Sequence, residues 1–252
     1  MGCPCILLCQ EQTYVLYNIK DKTLSLFIMF DHYLIPQETS FKKIRVGNNG
    51  DGGYVIADND VQGYTGIVGL GINDDNSFEQ EFQKLSNCVV QEYDYSIDAP
   101  PTKIPKSTFY KTMVQDQSDI VNIESLGDRK FLKMDIEGSE WDLLKTLDLE
   151  QFEQIACEFH FNKMKNFEIL DKISSTHNMI HVHGNSCDPS INAYTTKNNK
   201  IAIMPATMEF TFLRKDQGNF YPNKTWYPTD LDVSCDTRPD WDLRMYPFAP
   251  LN

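Results

Sequence analysis

The stretch from residue 130 to residue 147, KFLKMDIEGSEWDLLKTL, decides the fold. It opens with a short run of mainly apolar residues that stops at Asp135, and it resumes after Gly138 with apolar residues at helical spacing. This change of period predicts a buried strand, a sharp turn that contains Glu137, and then a helix. Two carboxylates therefore lie where a buried strand becomes a helix, a position that needs an explanation.

The helix after the turn has a start signal and an apolar face. Ser139 and Asp142 have the spacing of a capping box, which would satisfy free backbone N–H groups in the first turn. Three apolar side chains then recur at helical spacing and are expected to pack inward: Trp141, Leu144 and Leu147.

The same alternation of strand and helix continues on both sides of this stretch. Further strands are predicted at YTGIVGLG (64–71), NCVVQEYDYS (87–96), QIACEFHF (154–161), MIHVHGN (179–185) and PATMEFTFLRK (205–215). Helices are predicted over 73–85 and 163–176, the first with Ser77 as its cap and with Phe78, Phe82 and Leu85 on one face. Residues 98–112 are rich in proline and are expected to form a surface loop.

This order of elements predicts an α/β fold. Repeated strand–helix–strand units form a mostly parallel, Rossmann-like sheet with helices on both faces, and the last two strands, with no helix between them, suggest an antiparallel hairpin at the sheet edge. The domain is expected to cover residues 41–215, preceded by an N-terminal extension (1–40) and followed by a C-terminal tail (216–252) that packs on it.

Composition and charge limit the possible partners. The chain has 252 residues, 41% of them hydrophobic, and a formal net charge of −13. Because binding to a phosphate backbone needs clustered lysine and arginine, we expect no nucleic-acid partner. A neutral or cationic substrate fits this charge better than a polyanion. The sequence leaves the oligomeric state open.

The cysteines and the apolar segments suggest a cytoplasmic protein. The cysteine count is odd, which favours mostly reduced thiols over a disulfide framework; the seven are Cys3, Cys5, Cys9, Cys88, Cys157, Cys187 and Cys235. We expect no transmembrane segment and no signal peptide, because the apolar start is short and lacks a basic region. Acylation of Cys3 or Cys5 is left open, and the glycosylation pattern Asn223-Lys224-Thr225 is common by chance.

Three strand ends carry residues suited to ligand binding. In open α/β sheets, ligands bind beyond the carboxyl ends of the strands. The first end carries Gly69 and Gly71, where missing side chains would let a ligand approach the backbone. The second carries Asp94, about 20 residues downstream, a spacing typical of a carboxylate that binds ribose hydroxyls. The third carries Asp135.

The loop after Gly71 indicates which ligand fits. Asp74 and Asp75 lie where a pyrophosphate would need amide donors and no negative charge, which argues against NAD and FAD. These acids suit a ligand with a cationic centre and an amino group, such as S-adenosylmethionine. Alternatively, they only complement the dipole of the following helix.

A second group of residues is expected near Asp135. In the alternating strand after the helix, Glu158 and His160 share one face, so both can converge with Asp135 if the two strands are neighbours. Close carboxylates repel each other unless a proton, a cation or a base lies between them. This predicts either a divalent metal held by Asp135, Glu158 and Glu137, with or without one imidazole ligand, or a general base, with His160 as the proton acceptor.

Each of these residues also has a structural interpretation. Glu137 could cap the helix, and His160 could be a hydrogen-bonded core histidine. His183 shares a strand face with His181, and both suit a core; Asn185 could bind a substrate or close a turn.

Seven segments in this order resemble the FkbM-type, methyltransferase-like domain proteins: RVGNNGDGGYVI (45–56), GLGINDDNSFE (69–79), EYDYS (92–96), KMDIEGSEWDLL (133–144), CEFHF (157–161), HVHGN (181–185) and PATMEFTFLRK (205–215). The resemblance covers about residues 41–215 and implies a class I, S-adenosylmethionine-dependent methyltransferase. It places Gly69, Gly71, Asp74 and Asp75 along the methionine part of the cofactor, with the two acids in a loop one residue longer than expected, so that either could hold it.

The resemblance implies further roles. Asp94 would hold the ribose, Tyr95 would lie near the adenine, and Asp135 would lie beside the transferred methyl group. Such enzymes often methylate hydroxyls of sugars or polyketide-like scaffolds, sometimes with a divalent metal.

We therefore expect an O-methyltransferase that acts on a sugar or glycan hydroxyl, with Mn²⁺ or Mg²⁺ as a candidate cofactor. Asp135, His160 and Glu158 are the candidate catalytic residues, and His183 and Asn185 are candidates for substrate binding. Two alternatives remain: a non-catalytic carbohydrate-binding module on the same fold, and a nicotinamide-dependent oxidoreductase.

Overall fold

The computed structural model describes residues 8–9, 12–13, 34–163, 168–195, 201–245 and 247–250. Most of the N-terminal extension, with Cys3 and Cys5, lies outside these residues. The strands are β1 (Leu8–Cys9), β2 (Gln12–Thr13), β3 (Gln37–Thr39), β4 (Lys43–Val46), β5 (Tyr54–Ala57), β6 (Gly66–Leu70), β7 (Val89–Tyr93), β8 (Ser107–Tyr110), β9 (Lys130–Met134), β10 (Gln154–His160), β11 (His177–Gly184), β12 (Ile191–Thr195), β13 (Ile201–Pro205), β14 (Thr207–Arg214) and β15 (Phe220–Pro222). The α-helices are α1 (Ser77–Ser86), α2 (Glu140–Thr146) and α3 (Glu168–Thr176).

Seven strands form the main sheet, in the order β11-β14-β10-β9-β6-β7-β8. The five strands from β10 to β8 run parallel to one another, whereas β14 runs antiparallel to both β10 and β11. The predicted α/β, mostly parallel sheet with an antiparallel hairpin is confirmed. The second strand of this hairpin, β14, pairs with both β10 and β11 and so lies inside the sheet, whereas β11 forms the sheet edge.

Helices cover both faces of the sheet because successive strand residues point to opposite sides. On one face, Phe78 and Phe82 of α1 pack with Ile67 and Phe131 of the sheet. On the other face, residues of α2 and α3 form the larger core with the central strands and with the C-terminal Tyr227, Leu243 and Phe248. The carboxyl ends of β6, β7 and β9 lie side by side at one edge of these layers.

Several local predictions were wrong. Residues 107–110 of the predicted surface loop form the edge strand β8, which pairs with β7. Leu85 is 41% exposed, although Phe78 and Phe82 are buried as expected. The N-cap of α1 is Asn76 and not Ser77.

The capping box predicted for α2 is also absent. Ser139 is the N-cap but its side chain makes no capping hydrogen bond, and the Asp142 carboxylate pairs with Lys145. A different acid binds the turn: an oxygen of Glu140 accepts a hydrogen bond from the Gly138 N–H at 2.7 Å. The predicted apolar face holds, because Trp141, Leu144 and Leu147 are buried.

The cysteines depart from the predicted reduced state. Cys88 and Cys157 are buried free thiols, as expected, but Cys187 and Cys235 form a disulfide. The prediction was wrong for that pair because its sequence separation of 48 residues gives no local pairing signal. The side chains of Cys3, Cys5 and Cys9 lie outside the described part of the chain.

Within the described residues, the helices are too short or too polar for any of them to cross a membrane.

Asn223, in the glycosylation pattern, is buried, and its amide donates hydrogen bonds to the carbonyls of Thr225 and Phe248. The side chain is therefore used in packing the tail.

Candidate active site

A cavity of about 890 Å³ lies at the carboxyl ends of the parallel strands. Its wall includes the loops that follow β6, β7, β8 and β9, the edge where ligands bind in open α/β sheets. The wall includes six carboxylic acids and one lysine: Asp51, Asp74, Asp75, Asp94, Asp135, Glu137 and Lys133. Such a wall attracts cations and disfavours phosphates.

The two glycines predicted to open the backbone to a ligand have different surroundings. Gly71 lines the cavity with a φ of +73°, but the space that its Cβ would occupy is taken by the carbonyl oxygen of Asp135. Gly69 does not line the cavity, and its missing side chain makes room for the Glu79 carboxylate. At both glycines, the atoms that come close to the backbone therefore belong to the protein and not to a ligand.

Asp94 presents a fixed carboxylate at the end of β7. One oxygen accepts hydrogen bonds from the N–H and the hydroxyl of Ser96 at 2.7 and 2.6 Å, and the other accepts from the Asn73 N–H at 2.8 Å. Burial alone would raise the pKa of Asp94, but these hydrogen bonds hold it below its ordinary value. The carboxylate is thus ionised at neutral pH.

The two acids of the loop after Gly71 differ in their contacts. Asp75 accepts hydrogen bonds from the Ser77 N–H at 2.7 Å and from the Asn48 amide at 3.2 Å, so its carboxylate stabilises the loop. Asp74 is exposed on the cavity wall and receives no hydrogen bond from the described residues. The structure leaves the carboxylate of Asp74 available to a ligand.

Two large exposed side chains lie on the rim near Asp94. Tyr95 and Met113 line the cavity and are 60% and 46% exposed. Large exposed side chains of this kind provide a surface for a flat ring.

At the other end of the cavity the structure brings Asp135, Glu137 and His160 together. Their candidate ligand atoms all lie within 4.8 Å of one another, which is close enough for one cation. The Nε2 of His160 lies 3.3 Å from Glu137 and 3.4 Å from Glu158. Among the described residues, the group whose ligand atoms are close enough to hold one cation therefore contains His160. The sequence had predicted Glu158 in that place.

Glu137 reaches this position at a conformational cost. Its φ is +56°, a left-handed conformation that costs an L-residue about 1–2 kcal/mol. The following Gly138 also has a positive φ, of +99°. Together they turn the chain sharply enough to return the Glu137 carboxylate to the cavity.

His160 is held on its opposite side by Glu140, a residue that sequence reasoning missed. One Glu140 oxygen accepts a hydrogen bond from the His160 N–H at 2.7 Å and lies 3.0 Å from the ring Nδ1. Burial alone would lower the pKa of His160, but Glu140 and the other nearby carboxylates raise it above its ordinary value. Glu140 belongs to the acid-rich stretch 135–142, although nothing local distinguishes it from its neighbours.

The remaining two carboxylates of this group are Asp135, partly exposed on the cavity wall, and Glu158, which is buried; the two repel each other electrostatically. Burial raises the pKa of Asp135 to about 6, against the attraction of Lys133 and His160. Burial raises the pKa of Glu158 well above its ordinary value, and Asp135 and Glu209 raise it further. A proton or a cation is therefore favoured between them.

The two residues predicted to bind substrate lie away from the cavity wall. Asn185 is buried; its amide donates to Glu158 at 2.8 Å, so it orients that carboxylate. His183 is buried between Glu209 and Asp240, each 3.0 Å away. Burial would lower the pKa of His183, but Glu209 and Asp240 raise it to about 11. Its present contacts are those of a buried ion pair.

Lys133, which sequence reasoning also missed, is the lysine on the cavity wall. Its ammonium donates to the carbonyl of Gly71 at 2.7 Å and attracts the carboxylates of Asp94, Asp135 and Glu79. It lies between Leu132 and Met134 in β9, and sequence reasoning treated it only as part of a strand.

Comparison with known proteins identifies a family. Residues 35–185 match the methyltransferase FkbM domain. None of the curated proteins matches the chain. Among solved structures, the chain is similar to precorrin-6y C5,15-methyltransferase from Geobacter metallireducens GS-15, with 11% sequence identity and a TM-score of 0.34. The similarity covers 60% of this chain and 80% of that one.

Proposed function

Because this chain belongs to the FkbM methyltransferase domain family, we propose that it is an S-adenosylmethionine-dependent O-methyltransferase whose acceptor is a hydroxyl of a sugar or glycan. The observation that carries this proposal is the acidic cavity of about 890 Å³ at the carboxyl ends of the parallel strands. S-adenosylmethionine carries a sulfonium and an ammonium group, and an acidic wall favours both.

The residues on the wall fit each part of this cofactor. Asp94, an ionised carboxylate, would hold the ribose hydroxyls, and Asp74, which has no hydrogen bond from the described residues, would hold the amino group. The exposed side chains of Tyr95 and Met113 would lie against the adenine. When bound, the cofactor supplies an activated methyl group on a sulfonium.

The chain itself must then orient the acceptor and take its proton. Asp135 and Glu137 line the cavity and His160 lies directly behind them, so a hydroxyl that enters at this end meets hydrogen-bond acceptors. In this proposal the Nε2 of His160, or the carboxylate of Asp135, accepts the hydroxyl proton as the oxygen attacks. Glu158, held by Asn185, orients the ring.

A divalent cation fits the same group. Asp135, Glu137 and His160 together offer two carboxylates and one imidazole, a set that suits Mn²⁺ better than Mg²⁺ because Mg²⁺ prefers oxygen ligands. Such a cation would lower the pKa of the acceptor hydroxyl.

The first experiment is calorimetric titration of S-adenosylmethionine into the wild type and Asp94→Ala, with and without Mn²⁺. We expect micromolar binding by the wild type and at least a tenfold weaker affinity for Asp94→Ala. The matched control is Asp98→Ala, which removes an exposed carboxylate four residues away that pairs with Lys111 and does not line the cavity. A folded wild type that binds no cofactor would overturn the proposal, and binding of NAD instead would favour an oxidoreductase.

The acceptor is tested separately, by transfer of a labelled methyl group to a panel of monosaccharides and oligosaccharides. A labelled methyl ether on a sugar is the expected product. If the protein binds the cofactor but the label appears on another hydroxyl compound and on no sugar, the sugar acceptor is contradicted. Methyl transfer itself would still be supported.

A further inference from the structure

Glu140 is fully buried, with 0% of its surface exposed, yet it does not line the cavity. Both of its oxygens are in use. One accepts from the His160 N–H at 2.7 Å and faces the ring Nδ1 at 3.0 Å; the other accepts from the Gly138 N–H at 2.7 Å. A single carboxylate thus joins the turn that carries Glu137 to the ring of His160.

The contact to the ring determines which nitrogen can act. Both oxygens of Glu140 accept hydrogen bonds from backbone N–H groups, so Glu140 is the acceptor in the ring contact as well, and the proton of that contact belongs to Nδ1 of His160. The other ring nitrogen, Nε2, then faces Glu137 and Glu158 at 3.3 and 3.4 Å. A neutral imidazole with its proton on Nδ1 has a free electron pair on Nε2, as required to accept a proton or bind a cation.

We infer that Glu140 is a positioning residue for methyl transfer: it holds the His160 ring in one orientation, with the proton on Nδ1 and Nε2 directed to the acceptor end of the cavity. This inference rests on the proposed function. The backbone of His160 has support besides Glu140, because the indole N–H of Trp141 donates to the His160 carbonyl at 3.0 Å. Glu137 and Glu158 face Nε2, and Glu140 faces Nδ1, so the Glu140 contact determines which ring nitrogen carries the proton.

The isosteric change Glu140→Gln separates this role from simple packing. The amide cannot accept on both sides. If its oxygen stays with the Gly138 N–H, its NH₂ group opposes the His160 backbone N–H and favours a bare Nδ1, which moves the ring proton to Nε2; if its oxygen stays with His160, the bond to the Gly138 N–H in the turn is lost. Either orientation breaks the link between the turn and the ring. The carbon skeleton of the side chain remains the same size.

The first test is made on the wild-type protein. In ¹⁵N-histidine-labelled protein at alkaline pH, where the ring is neutral, the chemical shifts of Nδ1 and Nε2 report which nitrogen carries the proton; His160 is assigned by loss of its signals in His160→Gln. A protonated Nδ1 with a bare Nε2 is expected, and a bare Nδ1 would overturn the inference. Because this measurement needs neither cofactor nor acceptor, its result is distinguishable from a failure of cofactor binding, which would reject the proposed function.

The second test is kinetic. For folded Glu140→Gln we expect kcat to fall roughly 10–100-fold, the usual effect of removing such a supporting carboxylate, with the affinity for S-adenosylmethionine within about twofold of wild type. An unchanged kcat would overturn the inference, as would a loss confined to cofactor affinity. If Glu140→Gln does not fold, the Nδ1 measurement decides.

The matched control is Glu153→Gln. Glu153 is also buried, and it pairs with Arg129 beside the first residue of β10, whereas His160 is the last residue of that strand, roughly 20 Å away. We expect this change to lower stability but to leave kcat and the Nδ1 signal of His160 unaltered. The comparison distinguishes the loss of a buried carboxylate in general from the loss of the one that contacts the ring.

Discussion

The carbonyl oxygen of Asp135 occupies the space that a Cβ on Gly71 would take. The Asp135 N–H also donates to the carbonyl of Leu70 at 2.9 Å, so the pairing of β9 with β6 continues to the residue that enters the cavity. Gly71, with a φ of +73°, turns away from β6 immediately beside this contact. The position of the Asp135 carboxylate thus depends on a glycine in the neighbouring strand end.

Gly71→Ala is therefore expected to lower the free energy of unfolding by about 3 kcal/mol. This is the sum of the cost of a left-handed conformation at an alanine and the cost of the steric overlap with Asp135. Urea unfolding measures the loss. Gly50→Ala is the control, because Gly50 also has a positive φ but its Cβ would meet nothing nearer than 3.9 Å. Equal losses in the two variants would show that the contact with Asp135 contributes nothing.

Gly71 also shows what the sequence could and could not predict. The strand ends that meet at the cavity follow from local patterns: an apolar run, a glycine, then an acid. The position of Asp94, Asp135 and Glu137 on one cavity wall was therefore predictable. The reason for the glycine was not, because it depends on a backbone about 60 residues further along the chain.

The support behind the cavity was unpredictable for the same reason. The contact of Glu140 with His160 spans 20 residues, and that of Asn185 with Glu158 spans 27. In the sequence Glu140 is one acid among several and Asn185 resembles a turn residue. Their partners are set by the tertiary fold: α2 places Glu140 beside the end of β10, and β14 lies between β10 and β11, the strand that precedes Asn185.

The left-handed conformation of Glu137 predicts a conflict between stability and function. Glu137→Ala and Glu137→Gly both remove the carboxylate from the cavity, but the glycine variant also relieves the positive φ. We expect Glu137→Gly to be about 1 kcal/mol more stable than Glu137→Ala. Thermal unfolding of the pair measures this difference. A glycine variant that is the less stable of the two would contradict strain at this position.

Lys172 holds the C-terminal end of α2. Its ammonium donates to the carbonyls of Leu144, Lys145 and Leu147 at 2.8, 3.0 and 2.7 Å. Since α2 has seven residues, it depends on such tertiary contacts. Lys172→Met should lower the free energy of unfolding by about 2 kcal/mol, because these carbonyls lose their charged donor.

The control for this change is Lys145→Met on the same helix. Lys145 pairs with Asp142 at the surface, and its loss should cost about 0.5 kcal/mol or less. Amide hydrogen exchange in α2 should speed up in Lys172→Met and not in Lys145→Met. If both variants behave alike, the lysine has no capping role.

The buried His177 is expected to make the stability of the protein sensitive to acid. Burial lowers its pKa to about 4, and the ring lies between the Phe152 carbonyl and the Thr176 hydroxyl at 3.0 and 2.8 Å. Above the unfolded pKa of about 6.5, both states are neutral and the group has no effect. As the pH falls from there towards 4, the unfolded chain binds a proton that the folded chain does not, so stability is lost.

Between pH 7 and pH 5 this group should account for about 2 kcal/mol of lost stability. Urea unfolding of the wild type and of His177→Gln at both pH values isolates it, because other titrating groups affect the two proteins equally. The variant should lose about 2 kcal/mol less than the wild type over this interval. Parallel losses would mean that His177 has an ordinary pKa.

The disulfide predicts a dependence on redox conditions that reaches the candidate site. Cys187 N–H donates to the side chain of Asn185 at 2.9 Å, and Asn185 in turn holds Glu158. With a sequence separation of 48 between the two cysteines, chain entropy predicts about 4 kcal/mol of stabilisation. Dithiothreitol should therefore destabilise the wild type and leave Cys235→Ser, already destabilised, unaffected.

Peptide mapping without reduction gives an independent readout. Cys187 and Cys235 should appear as one cross-linked pair, whereas Cys88 and Cys157, both buried, should be alkylated after unfolding alone. Alkylation of Cys187 and Cys235 in the unreduced protein would reject the pairing. A confirmed pair would instead argue against the cytoplasmic location predicted from the odd cysteine count, because disulfides persist in oxidising compartments.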